Sequence, residues 1–123
     1  MRGIETIVHK GKEIICVDLS DLTVENKAQG IQTLREASKK VAVNPQKSVL
    51  IITNVTNLGF DTEVSNAFRK YASDNTPYVK ASAIVGLSGL QKVMFSAIKT
   101  LTGRDYYLAR DIEDAKNWLV SAG

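Results

Sequence analysis

The chain has 123 residues, of which 44% are hydrophobic and 24% charged, and its formal net charge is +3. That length fits one domain with a core large enough to stand without staples, and the composition excludes disordered, collagenous and membrane-type chains. A single His and a single Cys exclude every Cys/His metal cage, every internal disulfide and any site that needs two histidines.

Ile4 to Val8 and Ile14 to Leu19 are apolar, β-branched runs on either side of Gly11, which supplies the positive φ of a tight reversal, so they read as an antiparallel hairpin. Thr23 then caps a long helix on which Val24, Ala28, Ile31, Leu34 and Val41 recur at helical spacing until Asn44-Pro45 stops it. Ser48 to Thr53 is a continuous apolar run of strand length, the pattern of a central strand covered on both faces. Asp61 or Thr62 opens a second helix carrying Val64, Ala67, Phe68, Tyr71 and Ala72, which closes before Pro77. Ala81 to Val85 is the next buried strand. Ser88 and Gln91 form a capping-box pair at the head of a third helix with Leu90, Val93, Met94, Ala97, Ile98 and Leu101 behind them, and Gly103 ends it. Asp105 to Ala109 is a short last strand, and Asp111 caps a final helix with Ile112, Ala115, Trp118 and Leu119 on one side. Strands that alternate with helices long enough for right-handed crossovers run parallel. The expected fold is therefore a single α/β domain over residues 1–123, with a five-stranded mixed sheet and four flanking helices.

The basic residues are scattered, and the cluster Lys39-Lys40 with Lys47 has no interleaved aromatic on which a base stacks, so no nucleic-acid partner is expected. No run reaches eighteen consecutive apolar residues and Met1 to Glu5 lacks the apolar stretch of a secretory signal, so a cytoplasmic chain without a membrane span is expected.

If the later strands are parallel, the residues that follow them meet at one sheet edge, where open α/β folds place ligands. Asn54, Thr56, Gly86, Ser88 and Gly89 are the candidate binding residues there, for a small anion at the third helix's N-terminus; the plainer reading is that Ser88 caps that helix and Gly86 makes a turn. No catalytic set is visible. Gly86-Leu87-Ser88-Gly89 lacks the second glycine of a nucleophile elbow, and the only histidine, His9, precedes that serine and reads as a solvated turn residue. Thr53-Asn54 stands where an aspartyl-phosphate receiver needs an acid. Cys16, among Ile14, Ile15 and Val17, reads as a packed thiol of raised pKa, and Trp118 as core. Phe95 lies off the third helix's stripe and is either a contact for self-association or a partner, or a stray surface aromatic. No metal or cofactor is expected.

Three segments carry a resemblance: the strand-loop-helix from Ser48 to Tyr71, the small-residue turn within Ala83 to Gly89, and the ending from Ala109 to Leu119 with its Asp-Ala-x-x-Trp-Leu pattern. Together they resemble the SpoIIAA-like, or STAS-type, bacterial domains over nearly the whole chain. The resemblance implies a non-enzymatic regulatory or protein-interaction domain, in some members an anti-sigma factor antagonist switched by phosphorylation at the start of the second helix within an Asp-Ser-Ser-Gly-like motif. The corresponding stretch here, Leu58 to Val64, keeps an acid beside a hydroxyl at Asp61-Thr62 but not the second Ser and the Gly, so Thr62 is a weakened phospho-acceptor. A protein partner or a homodimer is the expected mode of action. The alternative is a module for a small molecule, anion or lipid, using the strand ends and the third helix.

Overall fold

The first two strands, β1 (Gly3–His9) and β2 (Lys12–Asp18), pair antiparallel in unbroken register from Gly3 opposite Asp18 to His9 opposite Lys12. The reversal uses positive φ at both Lys10 (50°) and Gly11 (81°), the geometry whose twist matches two paired strands, and Gly11 adopts it at no steric cost. The computed structural model describes residues 3–103 and 106–122, with the side chains at positions 90, 94, 95, 98, 101 and 102 outside that description.

Beyond the hairpin follow α1 (Lys27–Ala42), β3 (Val49–Asn54), α2 (Thr62–Asn75), β4 (Val79–Val85), α3 (Leu90–Thr102), β5 (Tyr107–Ala109) and α4 (Ile112–Ala122). The sheet order is β1-β2-β3-β4-β5, and β2 through β5 are parallel. Right-handed crossovers between strands that are neighbours in chain order stack their helices on one face. Accordingly Leu34, Ala37 and Val41 of α1 and Val64, Phe68 and Tyr71 of α2 share one core with Ile15, Val17 and Ile51. On the opposite face Ala115 and Leu119 of α4 close over Ile14, Leu50, Ile52, Ala83 and Val85. The strand β3 feeds both layers, which is why its sequence is apolar without alternation. The one polar side chain buried within it, Thr53, is satisfied by Tyr71, with the two hydroxyls 3.0 Å apart. Among the described residues no helix is long and apolar enough to cross a membrane.

Local departures from the sequence expectation are informative. Thr23 starts a short 3-10 turn, Val24–Asn26, and α1 proper begins at Lys27. That turn leaves Val24 and Ala28 exposed and sets the buried face at Gly30, Leu34, Ala37 and Val41. On α3, Val93 is 69% exposed and Ala97 is exposed too, so this flank of the expected apolar stripe is not covered. The expectation for Phe95 concerns a side chain outside the described residues, as does the expected start of the last strand at Asp105. His9 is not only a turn residue: it ends β1, and its Nε2 lies 3.0 Å from Oδ1 of Asn117. The Lys12 ammonium donates to the Val120 carbonyl at 3.1 Å, so the hairpin tip is tied to α4 at two points.

Trp118 packs on the second core as expected, but it is only partly buried, lying flat on Tyr107 with ring centroids 4.7 Å apart and planes 4° apart. Trp118→Ala is therefore expected to cost about 1.5 to 3 kcal/mol, from one stacked aromatic pair and partial burial rather than a full cavity. Urea denaturation checks this; a loss of 4 kcal/mol or more, roughly the cost of a fully buried Trp, would contradict it.

Candidate functional site

Register places the ends of the parallel strands side by side: Asp18 opposite Asn54, Asn54 opposite Val85, Val85 opposite Ala109. The loops that follow continue the ladder beyond the strands. Leu19 N donates to Asn54 O and Val55 N to Val85 O, both at 2.9 Å, and Asp21 N donates to Thr56 O at 2.9 Å. Gly59 N then reaches Leu22 O at 2.8 Å. Peptide groups that would otherwise be free at this edge are thereby paired.

The side chains at the edge are likewise occupied with one another. Asn54 Oδ1 accepts from Thr56 N (3.1 Å) and from the Thr56 hydroxyl (2.7 Å), an Asx turn. Asn57 and Asp21 both take left-handed conformations, φ 56° and 62°, and Asn57 Nδ2 donates to Asp21 Oδ1 at 3.1 Å. Gly86 has φ 90° and lies directly against Thr56, whose N and Cα would be 2.6 Å from any added Cβ. Asn54, Thr56 and Gly86 are thus brought together as one knot.

Ser88 and Gly89 lie beside this knot, exposed, and the helix begins differently from the sequence expectation. Gly89, not Ser88, is the N-cap of α3, and no side chain caps that end. Only the return half of the capping box forms: Gln91 Oε1 accepts from Ser88 N at 3.2 Å, while Gln91 Nε2 donates to Leu58 O at 3.0 Å. The glutamine therefore pins the start of α3 to the loop before α2, a role that spacing alone does not reveal. Two N–H groups of the first turn are taken up by the turn itself, Gln91 N to Ser88 O and Lys92 N to Gly89 O.

Thr62 is the first residue of α2 and is exposed. Asp61 is the N-cap, its Oδ1 accepting from Val64 N at 2.9 Å. Its Oδ2 lies 2.9 Å from Lys27 Nζ, and the same ammonium is 3.0 Å from Glu63 Oε1. Lys27 thus bridges the two acids that flank Thr62, a contact across 34 positions that leaves no trace in local sequence. The Val64 N–H first, and then Lys27, hold the Asp61 carboxyl below the ordinary carboxylate value, while hydrogen bonds to Asp61 and Glu63 raise the Lys27 pKa.

A depressed carboxyl stabilises the fold above the unfolded carboxylate pKa and loses that contribution as pH falls through the folded value; a raised lysine contributes below about 10.5 and loses it above. The cluster is therefore intact through the neutral range. Asp61→Ala is expected to lower Tm at pH 7, and the difference from wild type should shrink steadily between about pH 4 and pH 2. Thermal melts across that range check this, and a pH-independent difference would show that charge plays no part.

Concave surfaces lie elsewhere on the molecule, one of them bordering the knot at Asn54. A groove of about 700 Å³ runs between α1 and α2, with Ile31, Leu34, Ala67 and Tyr71 in it and Arg35, Lys39, Lys70 and Asp74 among its charged residues. On the other face a shelf of about 180 Å³ lies beside α4, lined by Glu5, Ile7, Cys16 and Ile52 and reaching Asp18 and Asn54 at the strand ends. Burial first, and then the Glu5 carboxylate, push the Cys16 thiol up to about 11, in line with the packed, unreactive thiol expected. Among the described residues no group of three His, Cys, Asp or Glu side chains is placed to hold a metal ion.

A solved structure similar to this chain is an uncharacterised protein from Shewanella loihica, of the DUF3478 family, with a SpoIIAA-like fold. It shares 20% identity, the alignment covers 97% of this chain and 95% of that one, and the TM-score is 0.65. No family model matches the chain, and no curated protein matches it.

Proposed function

We propose that this chain, which has the SpoIIAA-like fold, is a non-enzymatic protein-binding domain that receives an amphipathic helix of its partner in the groove between α1 and α2. The observation that carries this reading is where the concave surface lies. At the strand ends the polar side chains are spent on each other, whereas the groove offers about 700 Å³ between two helices. Glu63 to Asp74, which line it on α2, are eleven residues apart, about 16 Å or three helical turns. That length suits anchors at i, i+3 or i+4, and i+7 of a docked helix. Its charge supports an acidic partner: Glu63 is paired with Lys27 and Asp74 with Lys70, while Arg35 and Lys39 on α1 have no ion-pair partner among the described residues.

Control of binding runs by some route other than Thr62. A phosphate there would sit between the carboxylates of Asp61 and Glu63, whose like charge opposes it, and Lys27, which bridges them, already serves both. Mass spectrometry of the protein from its native cell tests this, and substantial phosphate on Thr62 would overturn it.

The binding experiment is an NMR titration with an acidic amphipathic helical peptide and with its lysine-substituted counterpart. Shifts at Ile31, Leu34 and Ala67 with the acidic peptide alone, abolished by R35E/K39E, are the expected result; no shift with either peptide at about 1 mM would overturn the reading. A second reading, a small amphipathic ligand on the shelf, rests on Asp18 and Asn54 bordering that cavity. A thermal-shift screen with anions, nucleotides and lipids separates the two, since a ligand at 100 times its Kd adds about 2.7 kcal/mol.

A further inference from the structure

The two edges of this sheet are unlike each other. The β5 edge is three residues long, short enough to be a poor template for another strand, whereas β1 presents seven residues, Gly3–His9, with no strand of the described residues on its outer side. Of the devices that blunt an edge strand it carries one exposed charge, Glu5, but no proline or lysine, and its pairing with β2 runs without a bulge. A second observation lies beside the same edge. The two most exposed large hydrophobics among the described residues are Val43, at 83%, and Val8, at 70%. Val8 belongs to β1, and Val43 lines a cleft together with Thr6, Glu13 and Lys40.

We propose that β1 is a self-association seam, pairing antiparallel with β1 of a second copy of this chain about a two-fold axis at Thr6, so that two five-stranded sheets join into one. This goes beyond the partner-binding reading and does not depend on it. The side-chain pattern selects both the occupant and the register. A two-fold axis normal to the sheet pairs residues on the same face, so it must pass through a single residue of the strand. An axis at Glu5 sets two like charges directly opposite each other and overlaps only five residues. An axis at Ile7 also overlaps only five. The axis at Thr6 uses all seven, pairing Thr6 with Thr6 of the second copy, Ile4 with its Val8, Glu5 with its Ile7 and Gly3 with its His9. No like charges then face each other along the strand, two hydroxyls meet at the centre, and each exposed Val8 is covered by an isoleucine.

A cross-linking comparison tests both the contact and its register. Residues directly opposite in an antiparallel pair have Cα atoms about 4.5 to 5.5 Å apart, within disulfide reach, whereas two copies of residue 8 would lie roughly 14 Å apart along the strands. Under mild oxidation T6C is expected to form a covalent dimer, and V8C and the wild type, which retains Cys16, are not. Sedimentation of the wild type from about 10 μM to about 1 mM is expected to show a rising dimer fraction that T6K removes, with the T6K melting temperature at low concentration unchanged. Equal cross-linking of T6C and V8C, or a wild type that stays monomeric throughout the series, would overturn the proposal.

Discussion

Gly86→Ala is expected to lower the stability of the domain by about 3 to 5 kcal/mol, although it adds a single methyl group. Two independent costs combine. The residue has φ 90°, a conformation that an L side chain adopts only with strain of about 1 to 3 kcal/mol. The new Cβ would also overlap the Thr56 hydroxyl and come within 2.6 Å of Thr56 N and Cα, and backbone does not rotate away as the end of a flexible side chain does. Relief requires the loop after β3 to move, and that loop holds the Asn54–Thr56 turn and the Asp21–Thr56 hydrogen bond. The effect should therefore extend beyond stability: amide shifts of Asp21, Thr56 and Asn57 should all change. Urea denaturation with an NMR comparison checks this, and a loss under 1 kcal/mol with unchanged loop shifts would refute the packing described. Gly89 is the internal control, because it also has positive φ, 48°, but a Cβ there meets nothing within 4 Å, so Gly89→Ala should show the conformational cost alone.

Phe68→Ala is expected to cost about 3 to 5 kcal/mol by leaving a cavity at the centre of the first core. Phe68 is 1% exposed and lies between Phe60, with ring centroids 5.5 Å apart, and Tyr71, at 6.0 Å in an edge-on arrangement. Removing the ring thus forfeits the contacts with Phe60 and Tyr71 along with its burial. Against a total stability of roughly 5 to 15 kcal/mol for such domains, this should lower Tm by roughly 10 to 20 °C or leave part of the population unfolded at 37 °C. Calorimetry decides, and a fall in Tm of only about 5 °C or less would mean that the site collapses around the smaller side chain. Because Tyr71 also lines the groove, the variant should weaken the acidic-peptide titration even where it remains folded.

Elements whose identity follows from burial on one or two faces were legible in the chain itself. The hairpin about Gly11, the unbroken apolar run of β3 and the alternation of strands with helices specify a mixed α/β sheet, because a face turned toward a core leaves a period of 2 or 3.6 in the sequence. The same local logic offered Asp61 or Thr62 as the opener of α2, of which the structure selects Asp61, and it gathered Asn54, Thr56 and Gly86 at one edge once parallel strands were inferred. The tertiary structure alone decided which of those residues are available. Lys27 reaching Asp61 and Glu63, Gln91 reaching Leu58 and Thr56 closing over Gly86 join positions about 30 or more residues apart. The exposure of Val93 and the flat stacking of Trp118 on Tyr107 depend likewise on how neighbouring elements happen to be spaced. Periodicity records that a side chain faces inward; it holds no record of which distant partner it meets there, since that is set by the relative placement of elements joined by loops.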